Sequence, residues 1–121
     1  MFLLGTAGQI RISRGDSAIF EYTINQGTNF DPIKYELKEG DELFFGVMEP
    51  NQPFEQAIIK KRYTYLDQLD GCLYIEFKPT DTLCLLPGLY YYQIKIRIRN
   101  PENGSMIVNT LIPKTQFWIE E

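Results

Sequence analysis

Pro79-Thr80-Asp81-Thr82-Leu83-Cys84-Leu85-Leu86-Pro87-Gly88-Leu89-Tyr90-Tyr91-Tyr92 runs straight into Gln93-Ile94-Lys95-Ile96-Arg97-Ile98-Arg99, and the reading of this passage decides the fold. From 89 to 99 the residues alternate. Successive side chains of a strand point to opposite sides, so Tyr90, Tyr92, Ile94, Ile96 and Ile98 share one face and Leu89, Tyr91, Gln93, Lys95, Arg97 and Arg99 the other. The first set is predicted to face a core. Ahead of it, the Leu-x-Pro-Gly-x-Tyr pattern fits a tyrosine corner, in which a tyrosine hydroxyl bonds upstream backbone and pins a Greek-key crossing between sheets. Tyr90 is the corner residue, and Pro87 and Gly88 set the turn that delivers it. Behind it, Asn100-Pro101-Glu102-Asn103-Gly104 supplies turn chemistry before Met106 resumes a strand, which predicts a β-hairpin.

Outward from this hairpin, apolar residues keep a period of two and are interrupted by Gly, Pro, Asn and Asp, the pattern of strands and turns. Strands are predicted at 8 to 13, 17 to 24, 41 to 48, 56 to 62, 72 to 78, 89 to 99, 105 to 112 and 115 to 120, with a ninth at 33 to 37. The sequence Gly15-Asp16-Ser17-Ala18-Ile19-Phe20 is echoed by Gly40-Asp41-Glu42-Leu43-Phe44-Phe45. In each, a glycine-aspartate turn feeds an apolar strand, with Asp16 and Asp41 placed to accept hydrogen bonds from nearby backbone amides. Asp81 is read as a structural residue of the segment that leads into the tyrosine corner. The expected architecture is all-β, an immunoglobulin-like Greek-key sandwich of about seven to nine antiparallel strands.

A chain of 121 residues is the size of one domain, and residues 1 to 121 are read as one, with 1 to 7 as a flexible or pairing N-terminal arm. The sequence contains no histidine. That removes the commonest general base, the commonest transition-metal ligand and the usual physiological pH switch together. The net charge of −4 argues against a nucleic-acid binder that works by neutralising phosphate. Cys72 and Cys84 form no CxxC pair and are read as reduced thiols. The apolar start Met1-Phe2-Leu3-Leu4 lacks the basic region and length of a signal peptide, and no apolar run approaches membrane-spanning length. The reading is a soluble non-enzyme with no cofactor, no metal and no small-molecule substrate.

A family resemblance follows from the order of these features. Gly15-Asp16 before a strand, Gly40-Asp41-Glu42-Leu43-Phe44-Phe45, then Pro79-x-Asp81-Thr82-x-x-Leu85-x-Pro87-Gly88-x-Tyr90-x-Tyr92-x-Ile94, and finally Thr110-Leu111-Ile112 before Phe117-x-Ile119 resemble the immunoglobulin-like domains of phage and prophage tail or baseplate proteins from Gram-positive hosts. The chain is similar to the N-terminal domain of upper baseplate proteins. Gln93 stands where such domains often carry aspartate. The resemblance implies a structural or adaptor module of a virion, made in the bacterial cytoplasm, whose partners are other virion or tail proteins or further copies of itself. It implies no catalytic residue. The alternative is a binding module for a cell-surface carbohydrate or protein.

Either function needs a contact surface, and the face bearing Tyr91, Lys95, Arg97 and Arg99 is the candidate. With Phe117 and Ile119 inward, Trp118 points outward and shares that surface if the last strand neighbours 89 to 99. Trp and Arg are enriched at binding hot spots. The plainer reading is a solvated sheet face whose cations pair with carboxylates on neighbouring strands. Arg14-Gly15-Asp16 matches an integrin-binding tripeptide, but the turn role of its aspartate favours a structural reading. Glu36, Glu39, Asp41 and Glu42, and likewise Asp67 and Asp70, lack calcium-loop spacing and read as solvated turns. Asn103-Gly104-Ser105 has the form of a glycosylation sequon and reads as the hairpin turn.

Overall fold

The structure, a computed structural model, describes residues 8–27, 32–100 and 102–121. The predicted arm at 1 to 7 and Pro101 of the predicted turn lie outside the described residues. Among the described residues there are nine strands: β1 (Ile10–Ser13), β2 (Ala18–Tyr22), β3 (Ile24–Gly27), β4 (Pro32–Tyr35), β5 (Glu42–Met48), β6 (Ile59–Tyr63), β7 (Leu73–Phe77), β8 (Gly88–Arg99) and β9 (Met106–Glu120). An α-helical turn, α1, spans Pro79–Thr82, and short 3-10 turns occupy Phe54–Gln56 and Tyr65–Asp67. The all-β class follows from this set.

Five strands form one sheet in the order β1-β9-β8-β5-β6, and the pairs β2-β7 and β3-β4 form two ribbons. Antiparallel pairing holds throughout except that β1 runs parallel to β9, so the large sheet is mixed. That corrects the expectation of purely antiparallel strands. β1 and β9 lie at the two ends of the chain, and the connection between them is the whole domain; no tight hairpin dictates their direction.

Two predicted boundaries move for physical reasons. The strand expected at 17 to 24 is divided at Thr23, because β2 pairs with β7 while β3 pairs with β4. The strands expected at 105 to 112 and 115 to 120 are one, with register shifts opposite Tyr92, Ile94 and Lys95. The irregularity lets β9 pass through Pro113, which an ordered central ladder would not tolerate. It also breaks the alternation, so that the adjacent Leu111 and Ile112 are both buried.

The core lies between the large sheet and the β2-β7 ribbon. Leu43, Phe45 and Val47 of β5, Tyr90, Tyr92, Ile94 and Ile96 of β8, and Phe117 and Ile119 of β9 are buried, as their alternation requires. Leu73, Ile75 and Phe77 face them from β7. Phe77 joins the layers: its ring centroid lies 5.5 Å from that of Phe45 and 5.6 Å from that of Phe117. Phe45 in turn stacks on Tyr92 at 5.6 Å. Aromatic pairs at these separations add attraction beyond the area they bury.

α1 carries the chain from the ribbon to the large sheet. Pro79 opens it, a position where a missing N–H costs nothing. The Asp81 carboxylate accepts from the Lys78 amide and from Lys61 Nζ, both at 2.8 Å. At the end of the crossing the Tyr90 hydroxyl donates to the Leu86 carbonyl at 2.7 Å, four residues upstream. Gly88, between them, has φ 149°, a conformation that side-chain-bearing residues rarely adopt.

Candidate interaction surface

The outward residues of β8 define the surface, and its register with β9 sets what lies beside each of them. Trp118 pairs with Leu89, Gln116 with Tyr91, Val108 with Arg97, and Met106 with Arg99. Trp118 and the arginines therefore share a sheet face but occupy opposite ends of it. Eight residues of strand separate the Leu89 and Arg97 positions, about 26 Å at the usual rise. The single basic-aromatic stripe expected from sequence is two separate patches.

At the first patch the parallel partner of Trp118 is Arg11, and its guanidinium lies 5.2 Å over the indole centroid. Arg11 Nη1 also contacts Glu120 at 2.9 Å, and the indole N–H donates weakly to Gln116 at 3.4 Å. A cation over the ring covers part of the apolar surface of the half-buried Trp118. Tyr91 is half-buried beside it on β8.

At the second patch one carboxylate organises two cations. Glu42 bonds Arg97 through one oxygen and Arg62 through the other, and the residue is only 9% exposed. Asp41, 5% exposed, accepts from the Tyr35 hydroxyl and from the Lys38 amide at 3.0 Å. The prediction of a solvated acidic turn is thus corrected at these two residues. Each carboxylate has donors close enough to offset the loss of water. Burial first, then the bond to Asp41, pushes the Tyr35 hydroxyl up from its ordinary range. Asp16 does not repeat the Asp41 pattern: its turn is closed by its backbone amide, which donates to Ser13 at 3.0 Å.

Beside Glu42, the segment after β5 folds back over the sheet. Gly46 makes room for it, since a Cβ there would come within 2.8 Å of the Phe54 ring and 3.1 Å of Ala57. Phe54 forms one wall of an open depression of about 540 Å³, completed chiefly by Phe44, Lys60 and Arg62. Lys95 Nζ lies 5.0 Å over Phe54, and Arg97 lies 5.8 Å over Phe44. Phe44, Phe54, Lys60 and Arg62 were missed by the reading of the sequence. Gly46 inside an apolar strand was the available signal, because such a glycine marks close approach of another segment. Arg99, by contrast, is exposed near the hairpin tip and belongs to neither cluster.

The remaining motifs resolve into structure. In Arg14-Gly15-Asp16, the Gly15 amide donates to the buried Thr82 hydroxyl at 2.9 Å, and the Arg14 amide donates to the Glu120 carbonyl at 2.7 Å. Those bonds hold the tripeptide as the turn between β1 and β2. Asp67 accepts from the Thr64 amide at 2.7 Å at the start of its 3-10 turn. Ser105 donates to the Asn103 side chain within the hairpin turn, through both its amide and its hydroxyl. Cys72 and Cys84 are free thiols, Cys72 lying 3.4 Å from the Thr23 hydroxyl. Among the described residues no three His, Cys, Asp or Glu side chains group closely enough to hold a metal ion, and no helix is long and apolar enough to cross a membrane. Comparison of the chain with protein-family models, with curated proteins and with solved structures found no match.

Proposed function

We propose that this chain is a non-enzymatic structural or adaptor domain of a phage or prophage particle, in the tail or baseplate, acting through protein-protein contacts. The observation that carries the contact role is the outer sheet face, where half-exposed aromatic rings lie under cations at both ends: Trp118 under Arg11, and Phe44 and Phe54 under Arg97 and Lys95. Such pairs present apolar area and fixed charge together, the composition favoured at protein interfaces. The particle setting comes from the resemblance carried by the turn-and-tyrosine segment. Within this reading the architecture is an immunoglobulin-like Greek-key sandwich, supported by the Tyr90-to-Leu86 bond where the chain crosses between layers. The protein is made in the host cytoplasm and ends as a virion component.

A second reading has one observation in its favour. The depression offers Phe44 and Phe54 for ring stacking and Lys60, Arg62 and Lys95 for anionic groups, a combination suited to an acidic cell-surface glycan. Two measurements separate the readings. Co-purification of the tagged chain with tail proteins from a producing host, lost on Trp118→Ala, supports the adaptor. Saturable binding on a glycan array, lost on Phe54→Ala and unaffected by Trp118→Ala, supports the glycan-binding module instead.

A further inference from the structure

Sheet register builds the depression between Phe44 and Phe54. Phe44 and Gly46 occupy the outer face of β5, about 7 Å apart along the strand. Arg62 and Lys95 flank Phe44 on the neighbouring strands, and Lys60 and Gln93 flank Gly46. Because Gly46 has no side chain, the Phe54 ring lies against it, so two half-buried rings follow one another along β5 with cations on either side.

The charge here is opposite in sign to that of the whole chain, which carries −4. Around the rings stand Lys60, Arg62, Lys95 and Arg97, against the carboxylates of Glu42 and Glu55. Glu42 is already shared between Arg62 and Arg97. Among the described residues neither Lys60 nor Lys95 has a carboxylate partner: Lys60 Nζ donates to the Glu55 carbonyl at 3.0 Å, and Lys95 lies over the Phe54 ring. The depression thus pairs an apolar floor with a rim that attracts anions.

We propose that it receives an acidic segment of a partner protein, with one aromatic or leucine side chain seated between Phe44 and Phe54. Asp or Glu residues on both sides of that anchor meet Lys60 and Arg62 on one flank and Lys95 and Arg97 on the other. The hydrogen-bonding inventory selects this occupant over a sugar. Each hydroxyl of a sugar ring donates as well as accepts, and among the side chains lining the depression only Glu55 can accept. Carboxylates only accept, which matches a rim of ammonium and guanidinium donors. The depression is also open, so a free small molecule would stay largely in water, whereas a peptide is held on both sides of its anchor. An apolar anchor among rings, bordered by charge pairs, has the composition of an interface hot spot. The proposal rests on the protein-contact reading above and supplies the chemistry of the partner at this end of the face.

The test is selection of a randomised peptide library on the purified chain, followed by titration of the selected peptides. The expected result is enrichment of peptides in which an aromatic or leucine residue is flanked by Asp or Glu. Their affinity falls at least about tenfold in Phe54→Ala and weakens as salt rises. Lys60→Glu, a change at an exposed side chain, produces a similar loss and serves should Phe54→Ala fail to fold. Trp118→Ala, at the other end of the face, binds the same peptides unchanged. The proposal is overturned if nothing is enriched, if the enriched peptides lack acidic residues, or if acidic peptides bind both variants as tightly as the unaltered chain. An empty selection together with saturable binding of oligogalacturonate, lost in Phe54→Ala, assigns the depression to the glycan reading instead. Failure here leaves the adaptor reading standing, since that reading is judged by co-purification with tail proteins and its loss on Trp118→Ala.

Discussion

Tyr90 and Asp81 fasten the two ends of one crossing, and each makes a distinct prediction. Tyr90→Phe keeps the ring in the core and removes only the bond to Leu86, so it is expected to cost about 0.5 to 1.5 kcal/mol, measured by denaturant unfolding. Asp81 adds a dependence on pH. Burial acts to raise its carboxyl, but the bonds from Lys61 and the Lys78 amide outweigh burial and hold it below its ordinary 3.8. The unfolded chain therefore takes up this proton first as pH falls. The stabilisation is complete above that ordinary value and fades as pH drops through the lower folded one. Asp81→Asn is expected to lower stability at neutral pH and to flatten the acid limb of the stability curve. Tyr90 was legible in the sequence because a proline, a glycine and an alternating strand surround it. Glu42 was not, because its burial depends on Arg97 and Arg62, which reach it from two different neighbouring strands.

Gly46 determines whether the segment over β5 can seat. A methyl group there meets the Phe54 ring at 2.8 Å and Ala57 at 3.1 Å, so Gly46→Ala is expected to displace Phe54 and to destabilise the domain by about 1 to 3 kcal/mol. The melting temperature reports the cost. Loss of the ring-current shift on the Lys95 side chain, which lies over Phe54, reports the displacement. At the scale of elements, the strands with strict alternation were readable, β8 above all. The division of the predicted 17 to 24 strand was not, since Thr23 carries no turn signal and the break arises from β2 and β3 choosing different partners. Nor was the continuity of β9, where Pro113 argued for two strands and the register shifts accommodate it in one. The distance between Trp118 and Arg97 was hidden for a related reason. Alternation fixes the face a residue occupies, whereas position along that face is set by the hairpin register.

Across the whole molecule, the aromatic core ties stability to alkaline pH. Burial, with a smaller contribution from Tyr92, raises the Tyr22 hydroxyl to about 12, and burial likewise raises Tyr92. The unfolded chain ionises these hydroxyls from their ordinary 10 upward while the folded chain resists. Their stabilisation is thus full below 10 and lost as pH rises through the folded values, about 12 for Tyr22. Unfolding in that window, with tyrosine ionisation and loss of sheet structure coinciding, is the expected outcome; Tyr22→Phe moves the transition to higher pH. The rings under cations at both ends of the outer face carry the proposal that this domain contacts other proteins in a phage or prophage particle. Mass spectrometry of purified phage or induced prophage particles from the encoding strain tests that account most directly. The chain is expected in the particles at a fixed ratio to the tail proteins. Its absence from particles, with the protein present in the producing cells, would contradict the account.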